Sequence, residues 1–559
     1  MIQSLKQFEK QRKERGYEIP QVANHPLFGS MVTRVLASAL SGLLLALAFP
    51  GFNESTLAYA ALVPWMFAVQ SLPVRKAAGL GLVAGFVFFM VSLAWLGNLT
   101  DRVEGAGLKA SALLGYAVLA LYCALYFMPF SIAVGLATRK WAGDHLGRNL
   151  RIMFMLTMVW VGAEYLRSTL FTGFPWNPLG VSQYALPAII QGAKWGGVYA
   201  VSAMIVWLNV ALFITFRQYT HGTRSRKYRP HFELMIGLAP LALSLADGMS
   251  TLLNIPPCPE PVTLALVQPN IAQSVKWDDA QDAEILRVLE ELTLSVTRLP
   301  DLDMVIWPET AVPDIINNPR TPQSYDLVRR LAPEGVPLLV GAMDYGFEGE
   351  QVKYYNSSIL FGTDGTVLGE YRKQHLVPFG EYVPFPGLMR KFTPIQVDIG
   401  SGMESTLLHL PGGEPPFSVL ICFEDTVAPL AAQAVRSGAR WLVNQTNDAW
   451  FDPSAQSEQH LAHAVFRCVE NRVPMARCCN TGVSCLIDAY GIISYEARPE
   501  KKLDVRTEGF TVDQLCPRQE GLGLTFYSRH GDLFARTSLL IGAGSLVLLR
   551  PRRRKSGND

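Results

Sequence analysis

At 559 residues the chain is long enough for more than one folded unit. Hydrophobic residues make up 49% and charged residues 17%, below the quarter usual for soluble domains, so part of the chain belongs in an apolar solvent. A net charge of +2 excludes nucleic-acid binding carried by bulk charge.

In chain order, a polar stretch opening "MIQSLKQFEKQRKERGYEIP" precedes the first apolar run, which is not the pattern of a cleavable signal peptide. It reads as a cytoplasmic extension over 1–30. A bilayer-spanning helix needs about 20 mostly apolar residues. Seven such stretches predict a helical bundle over 31–253, with spans at about 32–50, 57–73, 78–97, 110–137, 151–170, 196–216 and 233–251. An eighth span is expected over 533–550, ahead of a basic tail at 551–559. Lys and Arg crowd the N-terminal stretch, alternate loops (Arg75 and Lys76; Arg139 and Lys140; Arg224, Arg226 and Lys227) and the tail. That bias sets both termini in the cytoplasm and delivers the region between the seventh and eighth spans to the far face.

Within the membrane part, "EYLRSTLFTGFPWNPLG" puts Glu164 three residues before Arg167, a spacing that lets them pair on one helix face. The Pro-rich run behind them cannot continue a helix, and it carries Trp176 at the interface. Acids inside spans are costly, which marks Glu164 and Asp247 as candidates for a role.

From 258 to 520 short apolar runs alternate with helical periodicity. "VTLALVQPN", "MVIWPET", "PLLVGAMDY", "FSVLICFE" and "RWLVNQTND" read as strands, and the Asp-Gly of "NSSILFGTDGTVLGEYRK" marks a hairpin. The pattern predicts an α/β sandwich with helical outer layers. The eight cysteines show no CxxC pair and no Cys/His metal spacing, so neither a metal nor a cofactor is expected.

Three polar groups end strands: Glu309 in "VIWPE", Lys373 in "GEYRK" and Cys422 in "SVLIC". Singly, each has an ordinary structural reading, the cysteine as a buried small residue. Together, an acid, an amine and a thiol are the means of acyl transfer through a thioester. The thiolate attacks a carbonyl, the acid moves the proton, and the ammonium stabilises thiolate and oxyanion.

The segments "WPET", "YRKQHLVPFGEYVPF" and "ICFED" resemble the signatures of the nitrilase (carbon–nitrogen hydrolase) superfamily. "VQPNIAQSVKWD", "HLVPFGEYVP", "NDAWF" and "LRSTLFTGFPWNPLG" are similar to those of the apolipoprotein N-acyltransferase family within it. The resemblance implies a bundle of about eight spans plus a periplasmic nitrilase-like αββα domain, in a bacterial inner membrane. It implies Glu309 as general base, Lys373 as stabiliser and Cys422 as acylated nucleophile, with Glu381 and Glu424 as supporting acids. Trp277, Phe423, Trp450 and Trp176 become substrate-binding candidates, Phe423 standing where the family commonly has Tyr. The implied reaction moves an acyl chain from a phospholipid to the N-terminal amine of a diacylglyceryl-cysteine lipoprotein, the enzyme acting as a monomer. A membrane-tethered amidase hydrolysing a small amide is the alternative. The Pro/Gly-containing run after Lys373, with Leu388, Met389 and Phe392, reads as a mobile arm reaching the acyl layer.

Overall fold

The computed structural model describes residues 29–101, 106–139, 145–221, 231–276, 278–384, 386–390, 398–494 and 505–550. Trp277, Phe392, most of the N-terminal extension and the basic tail lie outside them, as do the side chains of Leu388 and Met389.

The apolar N-terminal part folds into helices α1 (Met31–Leu47), α2 (Val63–Val69), α3 (Val74–Ser92), α4 (Ala106–Leu125), α5 (Met128–Arg139), α6 (Leu146–Thr169), α7 (Val198–His221) and α8 (Phe232–Leu253). Among the described residues four segments are long and apolar enough to cross a membrane: Val74–Ser92, Ala106–Arg139, Val198–Thr220 and Phe232–Leu253. The expected second span is not one helix. A 3-10 turn at Ser55–Tyr59 precedes α2, which is only 7 residues long because Pro64 fits a first helical turn and no later position. The expected fourth span breaks between α4 and α5, where Pro129 imposes the same limit. After the soluble region, α13 (Leu533–Leu549) returns to pack on α6. A Cβ at Gly162 would stand 2.6 Å from the Leu539 backbone, so this close crossing requires glycine.

Between α8 and α13 lie two sheets. One has the order β10-β1-β2-β3-β4-β5, from Gly509–Leu515, Val262–Gln268, Met304–Ile306, Leu338–Glu348, Gln351–Phe361 and Val367–Arg372. The other is β6-β7-β8-β9, from Phe417–Ile421, Trp441–Thr446, Met475–Cys479 and Cys485–Ile487. β1, β2 and β3 are parallel neighbours, as are β6, β7 and β8, while β10, β4, β5 and β9 join antiparallel. The inner faces close on one another through Leu264, Ile306, Leu339, Val419, Ile421 and Val443. Strands β8 and β10 are additions to the sequence reading.

Helices α9 (Asp282–Thr297) and α10 (Gln323–Leu331) cover the outer face of the six-stranded sheet. In α9 the residues Ile285, Val288, Leu289 and Val296 form a single buried stripe at helical spacing. Helices α11 (Ala428–Arg436) and α12 (Gln456–Asn471) cover the other sheet and share one apolar core with the bundle. Every residue of α12 except Glu458 is buried, because it lies between sheet and bundle. A disulfide joins Cys258 to Cys516 across a separation of 258 residues, tying together the two ends of the sandwich.

Candidate active site

Three strand ends come together: Lys373 ion-pairs with Glu309, and both act electrostatically on Cys422. Cys422 follows β6 directly and opens a 3-10 turn, Cys422–Thr426, with φ at +52°. A non-glycine residue in this left-handed region costs about 1–2 kcal/mol, so the surroundings must hold it there. Asn444 Nδ2 donates to the Cys422 carbonyl at 3.3 Å, and His460 Nε2 lies 3.3 Å from the same oxygen. The residue itself is partly exposed and unbonded to any other cysteine.

Lys373, one residue beyond β5, is 1% exposed. Its Nζ stands 2.8 Å from Glu381 Oε1 and 3.5 Å from Glu309 Oε1. Asn356 Nδ2, on β4, donates to Glu309 Oε1 at 2.8 Å and to Glu381 Oε1 at 3.3 Å. Glu381 is fixed in turn by the Val377 N–H, which donates to Oε2 at 2.8 Å. Burial works against the lysine charge, but Glu381 and Glu309 outweigh it and hold the ammonium above the ordinary lysine range. Burial pushes the Cys422 thiol well above its usual pKa, Glu309 adds to that, and Lys373 opposes both. A thiol held in its protonated form needs a base if its sulfur is to attack.

Glu424, two residues after the cysteine, does not face the reacting groups. Its Oε2 accepts from the Ile421 N–H at 2.7 Å and the Tyr371 hydroxyl at 2.8 Å. Its Oε1 accepts from the N–H groups of Gln374 and His375 at 2.7 and 2.9 Å. One buried carboxylate thus ties the turn holding Cys422 to the loop that leaves Lys373. Glu424→Ala would orphan four donors at once, and unmade buried hydrogen bonds cost about 1–3 kcal/mol each. A fall in apparent Tm several degrees larger than that of Glu424→Gln, which keeps an acceptor, is the expected outcome in a thermal melt.

Phe423 is one layer of a stack that joins the sandwich to the bundle. Its ring lies parallel to Trp176 at 6.1 Å and to His375 at 5.9 Å. Trp176 is positioned from within the membrane part, although Glu164 and Arg167 do not pair with one another as their spacing predicts. Arg167 Nη1 instead donates to the carbonyls of Phe174 and Trp176 at 2.8 and 2.6 Å, and Glu164 Oε1 accepts the Leu179 N–H at 2.7 Å. Both serve the loop that carries the tryptophan. From α12, Gln459 Oε1 accepts three donors of the bundle: Trp95 Nε1, Trp176 Nε1 and Asn177 Nδ2, at 3.1, 2.8 and 3.1 Å. Trp450 sits apart from this stack, 44% exposed, and Asp247 pairs with Lys194 at 2.8 Å.

Other groups were not singled out from the sequence, although Lys276 lies in the quoted segment "VQPNIAQSVKWD". Lys276, in the turn after β1, donates from Nζ to the Glu309 carbonyl at 3.1 Å. Beneath the cysteine, His460 lies between Asp448 Oδ1 and Asp425 Oδ1, each 2.9 Å from a ring nitrogen. Arg477 reaches Asp425 Oδ2 at 2.8 Å and Asp448 Oδ2 at 3.2 Å. The aspartates belong to quoted segments ("ICFED", "NDAWF"), which was the available signal; their cations come from α12 and β8.

Residues 41–211 match the family model described as the apolipoprotein N-acyltransferase N-terminal domain, and residues 263–513 match that of carbon–nitrogen hydrolase. An apolipoprotein N-acyltransferase of Geobacter metallireducens is 35% identical over 93% of this chain and 95% of its own. One of Brucella melitensis is 32% identical over 82% of this chain and 87% of its own. Among solved structures, a Saccharomyces cerevisiae member of branch 10 of the nitrilase superfamily matches with a TM-score of 0.34 and 21% identity, over 46% of this chain and 92% of that one.

Proposed function

The chain belongs to the apolipoprotein N-acyltransferase family, and we propose that it performs the family's transfer in two acyl steps on Cys422. The observation that carries the proposal is the convergence of Glu309, Lys373 and Cys422 beside a bundle of apolar helices.

In the first step Cys422 Sγ attacks an ester carbonyl of a phospholipid while Glu309 takes the thiol proton. The tetrahedral oxyanion forms next to the Lys373 ammonium, which is already charged and needs no reorganisation. Glu309 returns the proton to the departing glycerol oxygen, so a lysophospholipid leaves and a thioester remains. In the second step the α-amine of a diacylglyceryl-cysteine attacks the thioester. Glu309 takes a proton from the nitrogen and delivers it to the leaving thiolate, giving the amide and free Cys422. Glu381 and Asn356 keep Lys373 and Glu309 in register, and Glu424 sets the cysteine turn against the lysine loop.

Phe423 and Trp176 form a flat apolar wall from the nucleophile toward the bundle, suited to an acyl chain. Both substrates are lipid-anchored, so this wall has to begin at bilayer height. The arrangement proposed has seven spans over 31–253, the catalytic unit over 258–520 and the last span over 533–550. The catalytic unit then lies on the periplasmic face of a bacterial inner membrane, and the enzyme acts as a monomer. The Cys258–Cys516 disulfide supports an oxidising compartment for that face.

The test supplies the protein in vesicles with phosphatidylethanolamine labelled in its acyl chains. Hydroxylamine-labile label should appear on Cys422 and pass to the amine of a diacylglyceryl lipopeptide added later. No label on Cys422, or its release only as free fatty acid, would overturn the reading, the latter outcome favouring an amidase-like hydrolase.

A further inference from the structure

Lys276 poses a problem that the two-step scheme does not resolve. It is 2% exposed, and its Nζ has the Glu309 carbonyl, at 3.1 Å, as its hydrogen-bond partner. Among the described residues it forms no ion pair. An ammonium carries three protons and no acceptor sites, so among the described residues two of its donors have no partner and no carboxylate lies at contact distance. Burying such a group costs several kcal/mol unless an anion completes it. Burial accordingly brings its pKa down to about 8, against the opposing pull of Glu309 and Cys422. Lys373 presents the contrast: equally buried, it has two carboxylates within ion-pair distance and already serves the oxyanion.

We infer that Lys276 is the docking cation for the phosphodiester of the acyl donor, completing its coordination only when the phospholipid is bound. The inference rests on the proposed phospholipid donor and adds the group that recognises it. Of the two substrates, the donor necessarily brings a fixed anion close to the scissile bond, since only the glycerol carbons separate its phosphate from its esters. The reacting end of the acceptor is an amine, which a vacant Lys276 ammonium repels when that amine is protonated. A phosphate oxygen at Lys276 would leave the Glu309 carboxylate, held at Oε1 by Asn356 and Lys373, free to take the thiol proton. One cation therefore selects the donor for the first step and disfavours the acceptor until a thioester exists.

The experiment compares two donors in single-turnover acylation of Cys422: phosphatidylethanolamine in vesicles, and p-nitrophenyl palmitate, an acyl ester without phosphate. A charge-assisted hydrogen bond is worth about 1.5–3 kcal/mol, so Lys276→Met should slow acylation by the phospholipid about 10- to 150-fold. Acylation by the nitrophenyl ester should change by less than about threefold, which also reports that the variant is folded. Lys276→Arg, which keeps the charge, should recover most of the phospholipid rate. Equal loss with both donors would overturn the inference by placing Lys276 in acyl transfer itself. A loss confined to the later aminolysis by lipopeptide would overturn it by making Lys276 a proton acceptor for the amine. If the unaltered enzyme is acylated by neither donor, the thioester reading falls first, and this inference falls with it.

Discussion

Cys422→Ala should abolish acyl transfer and leave the protein folded. The rate should drop to background, at least about four orders of magnitude, because the proposed thioester can no longer form. The fold should hardly respond. The contacts that set the turn act on the Cys422 carbonyl, on the Ile421 N–H and on Glu424, and the sulfur itself adds one side-chain hydrogen bond with Thr446. A partly exposed side chain truncated by one atom shifts stability by about 0.5 kcal/mol or less, so the apparent Tm should stay within about 2 °C. Cys478 makes the informative control. Its thiol is buried between the sheets and contacts the carbonyls of Val267 and Ile306 at 3.3 and 3.2 Å. Cys478→Ala should lower the apparent Tm and retain activity, the reverse pattern. Label transfer from phospholipid and a thermal melt of both variants check the pair, and a destabilised but active Cys422→Ala would make that cysteine structural.

The contrast between these two cysteines also shows what a linear reading can reach. Glu309, Lys373 and Cys422 stand out in the sequence because each is a polar residue just past an apolar run, and the structure brings the three together. Among the described residues four segments match expected spans in length and hydropathy, and Pro64 cuts the expected second one, an effect that composition averages away. Strand β8 was missed because Arg477 in the middle of "MARCC" looks like an interruption. It is fully buried, and its two carboxylate partners lie 52 and 29 residues away in sequence. Helix α12 has a polar face that reads as solvent-facing. The structure turns that face to the bundle, where Gln459 and His463 receive hydrogen bonds from Trp95, Trp176 and Asn177. Long-range partners of buried polar residues leave no local periodicity, and at the domain-to-bundle junction they add to the apolar core that α11 and α12 share with the bundle.

Arg477→Met is expected to be the most destabilising single change in the catalytic unit. Two aspartates and two cations lie buried beneath Cys422, each aspartate touching both Arg477 and His460. Removing Arg477 leaves two buried carboxylates to one imidazolium, and breaking a buried pair in this way costs about 3–5 kcal/mol. The apparent Tm should fall on the order of 10 °C. Adding Asp425→Asn should restore much of it, because the remaining Asp448–His460 pair is then balanced. The pH dependence separates charge from simple loss of packing. Burial alone would lower the His460 pKa, but Asp425 and Asp448 outweigh it and raise it to about 9. Its contribution to stability is therefore full below the unfolded value of about 6.5 and is lost as pH rises through about 9. Asp448 runs oppositely: burial is outweighed by His460 and Arg477, its pKa falls to about 2, and its contribution is lost only as pH falls toward that value. Arg477 itself pulls the His460 pKa down, so its removal should move the alkaline edge of the Tm–pH profile upward even as the plateau drops. The same network reaches the reaction, since Arg477 holds Asn444, and Asn444 and His460 hold the Cys422 carbonyl. Acylation should weaken in Arg477→Met and recover in the double variant along with Tm; recovery of stability without acylation would uncouple the buried charges from the nucleophile.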